Sequence, residues 1–532
     1  MLVVMKRAKF INYSIDLIKN RLRLYKSGNY PHQHPDVEFP FSFTKTSSKL
    51  SLNLSVIPIF KSIMKKALLG FLFLTFLTTF NHSYAQEGYN IKVKVSGVRD
   101  SLCYLANYFG DKQYLKDSCL ADAQGNFSFK GKEALGGGIY LVVIPGKKYF
   151  EIVVDKEQQF SVETDTLDFV KHMVIKGSNE NKIFYDYLKF ISEKSKAIEP
   201  LRAEYESVKN DPAKVEDVRK RMSVIDNEVI TYKANFETSN PDFILTKVFQ
   251  CTQEVKMPET PKKADGSLDS LFMYTYYKSH FFDNIDLTDD RLLRTPVLHP
   301  KLEQYFTKLT VQMPDSINKE ADYVISKLKP GSEMFKYVVW WVTNHYETSN
   351  IMGMDAVFVH MVENYYTKEK AFWVDDAQLY KIQERAKVLK PILVGKQVKN
   401  IILKDSLGVA KSLYDIKTKY TVLYFWDPDC GHCQKVTPKL KESYDKFKSK
   451  GFEVYAVCTE VEMDKWRKFI KEKNLNWINV ADPELRNNFR HDFDITTTPQ
   501  IFLLDNTKAI IAKRIEVDTL NEILEKRFSE AK

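Results

Sequence analysis

At 532 residues the chain exceeds what one hydrophobic core organises and implies about three domains, and its 44% hydrophobic and 28% charged content excludes a wholly disordered chain. The net charge of +10 is concentrated at the front: ten Lys/Arg against Asp16, Asp36 and Glu38 put +7 in residues 1–63, and Lys65 and Lys66 bring the first 85 to +9. The remaining 447 residues carry +1 (10 − 9), so no nucleic-acid partner is expected of the folded body.

The front end contains an internal start. Met64 is followed by Lys65 and Lys66, an apolar run over 67–80, and Ser83 and Ala85 at the two positions that must be small. Residues 64–85 therefore read as a secretory signal peptide cut after Ala85, and residues 1–63 as a non-native leader. The apolar run is shorter than the roughly 20 residues of a spanning helix. No cysteine near the cut supplies a lipoprotein anchor.

In residues 86–177, Ile91, Val93 and Val95 alternate with Lys92 and Lys94, and strand-like runs over 139–144, 148–154 and 159–163 are separated by turn residues such as Pro145-Gly146. This pattern predicts an all-β, sandwich-like domain of antiparallel strands. From Glu180 the apolar period becomes helical, with Phe184, Tyr187, Leu188 and Ile191 on one face. A helical domain is expected over 178–390, including helices at 333–345 and 354–366, with Trp340, Trp341, Tyr365, Tyr366 and Trp373 packing helix to helix. The Lys/Glu-rich stretch 193–220 reads as a solvated helix face.

Beyond Pro391 strands and helices alternate. The continuous apolar run 421–426 suits a central strand buried on both faces. A helix over 430–450, a strand over 452–457, a helix over 464–473, strands over 501–505 and 509–514 and a last helix over 518–528 complete an α/β module spanning 391–532.

The chemistry concentrates at Asp427-Pro428-Asp429-Cys430-Gly431-His432-Cys433, where the buried strand turns into a helix. A thiol at a helix N-terminus meets unpaired N–H groups and the positive end of the dipole, and both favour the thiolate. The two-residue spacer leaves Cys430 exposed to attack a substrate disulfide, with Cys433 beneath it to resolve the mixed disulfide. Half of a zinc site would need a second ligand pair, and Cys458 and His491 stand alone. No metal or cofactor is expected. Of the other cysteines, Cys458 reads as a small buried apolar residue and Cys251 as structural, while Cys103 and Cys119 fall on neighbouring strands and could be bridged.

The stretch 391–532 resembles the thioredoxin superfamily, most closely its TlpA/ResA-like and AhpC/TSA-related envelope members. Phe425-Trp426 matches the pair before the active-site loop, Pro438 the helix-kinking proline, and Phe493 to Pro499 the segment ending in the family's cis-proline. Residues 395–417 look like the opening β-hairpin and turn. The resemblance implies a thioredoxin fold and a catalytic dithiol of Cys430 and Cys433, supported by Trp426, Gly431, His432, Thr498 and Pro499. A cis bond at Pro499 would turn the backbone of Thr498 toward the cysteines. The Cys-Gly-His-Cys tetrad looks like that of protein disulfide isomerases, whose potential lies roughly 90 mV above thioredoxin's, or about 4 kcal/mol for two electrons. An imidazole at His432 would favour such a shift, and Asp427 and Asp429 would oppose it. Two positions depart from the family pattern: Tyr424 replaces thioredoxin's buried aspartate and Val436 the ResA-like glutamate. Neither accepts a proton at neutral pH, so no base for Cys433 is evident.

The implied activity is thiol–disulfide exchange on exported proteins in the periplasm or cell envelope, with a membrane electron donor as the second partner. A thiol peroxidase would want Pro and Thr where Leu423 and Asp427 stand. A copper chaperone would want one more residue between the cysteines. The reading from another class is an envelope ligand- or partner-binding protein served by an accessory thioredoxin module.

Overall fold

A computed structural model describes residues 88–530. The expected leader, the signal peptide and the cut after Ala85 lie outside the described residues. Eight strands come first: β1 (Asn90–Ser96), β2 (Leu102–Phe109), β3 (Lys112–Leu120), β4 (Asn126–Lys130), β5 (Gly138–Ile144), β6 (Lys148–Val154), β7 (Gln159–Asp165) and β8 (Val174–Lys176). They form two four-stranded sheets, in the orders β4-β1-β7-β8 and β3-β2-β5-β6. The alternation read in β1 is real: Ile91, Val93 and Val95 are buried and join Leu105, Phe129, Val142 and Ile152 in one core. The expectation of purely antiparallel strands is corrected at one pair. β1 and β7 run parallel, with Asn90 opposite Gln159, because the whole second sheet intervenes and returns the chain in the same direction.

Helices follow. Ser178 and Asp211 cap the long pair Asn179–Val208 and Pro212–Ser239 by accepting backbone N–H groups of Asn181 and Lys214. Most of this pair faces solvent, as its charge pattern implies. The aromatic helices Glu333–Glu347 and Asp355–Tyr365 bury Tyr337, Trp341, Tyr346 and Phe358 against their neighbours. The N-terminal sheets meet this region through the turn between β2 and β3. There Gly110 donates its N–H to the Leu293 carbonyl at 2.9 Å. Its φ of +61°, and the Tyr337 ring only 2.1 Å from where a Cβ would sit, leave room for glycine alone.

The last region is a seven-stranded sheet in the order β10-β9-β13-β12-β11-β14-β15, built from β9 (Ile402–Asp405), β10 (Ala410–Ser412), β11 (Tyr420–Trp426), β12 (Phe452–Cys458), β13 (Ile478–Ala481), β14 (Gln500–Asp505) and β15 (Ile510–Lys513). β11 lies central, parallel to β12 and antiparallel to β14. Successive side chains of a strand face opposite ways, and here each face has its own cover. Val422, Tyr424 and Trp426 pack under the helix Gly431–Phe447 with Leu440 and Tyr444. Leu423 and Phe425 face the other way, into a core continuous with that of the preceding helices. Two ion pairs cross the same seam: Lys513, 3% exposed, with Asp355, and the Asp494 carboxylate, 6% exposed, with Arg385. Among the described residues, no helix is long and apolar enough to cross a membrane.

Candidate active site

The segment after β11 folds on itself before the helix begins. The Asp427 side chain accepts the Asp429 N–H at 2.8 Å, its carbonyl accepts the Cys430 N–H at 3.2 Å, and Gln434 Nε2 donates to the Pro428 carbonyl at 3.0 Å. This turn sets Cys430 at the N-cap of Gly431–Phe447 with an extended backbone, φ −75° and ψ 116°. Cys430 is partly exposed, whereas Cys433, one turn into the helix, is fully buried.

Across from the helix start lies the residue before β14. The Thr498–Pro499 peptide is cis. The Cys430 thiol donates to the Thr498 carbonyl with Sγ at 3.4 Å, so the two segments, 68 residues apart, meet at the sulfur. A groove of about 460 Å³ opens alongside, lined by His432, Val436, Thr497, Pro499, Gln500 and Arg514 among others.

The electrostatics of the two thiols differ. Burial works against ionisation of Cys430, but the Cys433 N–H, the contact with Thr498, the Cys433 side chain and the His432 N–H outweigh it and hold its pKa below that of an ordinary thiol. Burial dominates at Cys433 and, with the hydrogen bond and charge of Cys430, pushes it up to about 12. The Asp427 N–H and Thr498 oppose that rise.

The supporting residues fall into place unevenly. His432 is exposed at the groove and reaches the sulfur through its backbone N–H. Gly431 has a helical φ, and a Cβ there would meet nothing within 4 Å, so glycine keeps the surface beside Cys430 bare without being needed for the turn. Trp426 does not reach the surface; it is fully buried, parallel to Tyr424 at 6.3 Å and against Phe469 at 5.0 Å. The carboxylates of Asp427, Asp429 and Glu460 gather within 4.8 Å of one another. Lys465, whose Nζ lies 2.8 Å from Asp429, offsets part of that charge. Tyr424 donates to or accepts from the Thr437 hydroxyl at 2.9 Å, in direct reach of Cys433.

Sequence reasoning missed Lys465 and the Asp494 clamp. Asp494 accepts from both Arg385 and Arg514, four residues before Thr498. Its only local sign is an aspartate in the left-handed region, φ 53°.

A central strand leading into an N-capping Cys-x-x-Cys helix, opposed by a cis-proline before an antiparallel strand, defines a thioredoxin-fold dithiol protein. Comparisons narrow this. Residues 394–513 match the AhpC/TSA family model, while 89–184 and 214–391 match two domains of unknown function, DUF4369 and DUF5106. The thiol-disulfide oxidoreductase ResA of Bacillus cereus is 27% identical over 130 residues, 24% of this chain and 74% of its own length. Two solved structures align over the same part. One is a domain of a possible thiol-disulfide isomerase from Cytophaga hutchinsonii, 41% identical over 26% of this chain and 97% of that one, TM-score 0.25. The other is the thioredoxin domain of a thiol-disulfide oxidoreductase from Bacteroides vulgatus, 33% identical over 25% and 97%, TM-score 0.25. Residues 394–513 carry an AhpC/TSA-family domain, and in this C-terminal stretch the chain is a TlpA/ResA-like thioredoxin-superfamily protein. Its enzymatic class is protein-disulfide oxidoreductase.

Proposed function

We propose that Cys430 and Cys433 are the working dithiol and that they exchange with disulfides of proteins exported to the cell envelope. The observation that carries this reading is the asymmetry of the two sulfurs. Cys430 is partly exposed, with its pKa held, against burial, below that of an ordinary thiol by the Cys433 N–H, the Thr498 and Cys433 side chains and the His432 N–H, while Cys433 is buried and held as a thiol. The Cys430 thiolate attacks one sulfur of a substrate disulfide and releases the other as a thiol. Cys433 then attacks Cys430, freeing the second substrate thiol and leaving Cys430–Cys433 oxidised. Two electrons and two protons have passed to the substrate, and a membrane thiol donor restores the pair. Thr498 offers its backbone to an extended substrate strand, and the groove beside His432 receives its side chains.

The signal-like segment before Ala85 supports the envelope as the place of action. Equilibration of the full mature chain against glutathione buffers, with insulin reduction alongside, tests the proposal. A potential above thioredoxin's roughly −270 mV is expected, with turnover lost in Cys430→Ser. Turnover that survives Cys430→Ser would overturn the assignment.

A further inference from the structure

Cys103 and Cys119 are direct register partners on the antiparallel pair β2–β3, between Leu102 opposite Leu120 and Tyr104 opposite Ser118. Opposed residues of antiparallel strands project to one face with Cβ atoms about 4.5–5.5 Å apart, closer in non-hydrogen-bonded pairs. A disulfide needs roughly 3.5–4.5 Å, within reach of a small closure of the ladder. The two side chains do face the same way: Cys103 is fully buried in the core of the two sheets, and Cys119 packs half-buried against that core. Nothing strong engages the buried sulfur, whose contact with the Ser101 carbonyl is 3.7 Å long.

We infer that Cys103 and Cys119 are a second thiol pair, separate from Cys430–Cys433, that closes as a cross-strand disulfide on meeting a small-molecule disulfide oxidant. The half-exposed Cys119 reacts first. Its thiolate attacks the oxidant RSSR, forming a Cys119–SR mixed disulfide and releasing one RSH. Cys103 then attacks the Cys119 sulfur, releasing the second RSH. The pair gives up two electrons and two protons, and the oxidant becomes two thiols. Burial pushes both thiols up, Cys119 to about 12, so closure is slow and calls for long equilibration.

The position gives the bond a purpose. β3 is an edge strand of its sheet, and its exposed face carries Leu115 at 66% and Leu120 at 68% exposure. An exposed apolar edge is a site for unwanted strand pairing. The other end of the same hairpin is fixed by Gly110 against the helical region. A bond at Cys103–Cys119 pins the open end, so the edge strand is held at both.

Peptide mapping of the full chain tests this. The protein is equilibrated with oxidised glutathione, alkylated and digested with trypsin, which places the two cysteines in peptides 100–112 and 117–130. The expected species is these two peptides joined, lighter by two hydrogens, and separated by dithiothreitol. Cys430→Ser must still show it and Cys119→Ser must not. If Cys103 is alkylated in the oxidised protein, whether Cys119 is free or carries glutathione, the inference fails. The state of Cys430–Cys433 is read from different peptides and decides nothing here.

Discussion

The clamp at Asp494 turns the docking of the helical region into a measurable property of the redox site. Asn at this position keeps the shape and tolerates φ 53°, so the backbone is not disturbed. What is lost is charge: one of the two guanidiniums faces a carbonyl and the other an NH2 group. A hydrogen bond between charged partners contributes about 1.5–3 kcal/mol. Here the Arg385 and Arg514 side chains are 36% and 39% exposed and can rehydrate, which discounts the figure. Asp494→Asn should therefore cost about 2 kcal/mol in urea unfolding of the full chain. Because Phe493 and Ile495 anchor the same loop in the core, the damage should reach Thr498 as looser positioning, not unfolding. Insulin reduction should show a raised KM, while alkylation of Cys430 by iodoacetamide keeps its rate. A stability change under about 0.5 kcal/mol with KM unaltered would refute the reasoning.

Three further outcomes follow from buried charges and from the thiols. Glu180, 8% exposed and accepting the Ile244 N–H at 2.9 Å, has its pKa raised by burial from 4.5 to about 7, so its contribution is fully present below pH 4.5 and lost as pH rises to 7. Glu180→Gln should gain about 2 kcal/mol on the parent between pH 5 and pH 8, read by thermal unfolding. Lys513→Met leaves the part-buried Asp355 without its ion-pair partner and should cost about 3 kcal/mol, much of it recovered when Asp355→Asn is added. Because its thiolate is favoured, Cys430 should stay reactive to iodoacetamide at pH values where a free cysteine has lost most of its rate, and Cys433 should stay unlabelled beside it.

What the sequence made legible is what local pattern encodes. The run ending in Phe425-Trp426, the turn residues before Cys430 and the switch to helical period after it were enough to place a dithiol on a helix start. The bounds of Gly431–Phe447 and β12 fall within a few residues of expectation. Long-range geometry was hidden. The parallel pairing of β1 with β7 joins residues 69 apart, and nothing local distinguishes it from an antiparallel neighbour. β13 is four residues long and too brief to leave a period. Arg385 and Asp494 are 109 residues apart, and each alone reads as an ordinary surface charge. Cys103 and Cys119 could be assigned to neighbouring strands, but only the register makes them partners.

The missing base for Cys433 also takes a different form once the site is assembled. Tyr424 and Val436 cannot accept its proton, the Tyr424 hydroxyl being buried and engaged by both Thr437 and Cys433. Yet two of the influences that push Cys433 up to about 12, the hydrogen bond with Cys430 and its charge, are strongest while Cys430 is a free thiolate. In the proposed cycle that sulfur becomes half of a mixed disulfide, uncharged and a much weaker acceptor. Burial remains, but the Asp427 N–H and Thr498 now act without that opposition, and Cys433 becomes more acidic at the step that needs its thiolate. Before that step it is a poor nucleophile and cannot compete with Cys430 for substrate. In the proposed cycle the order of the two attacks is thus set by the charge of the first cysteine, and the proton can leave to water or with the departing substrate thiolate without a dedicated carboxylate.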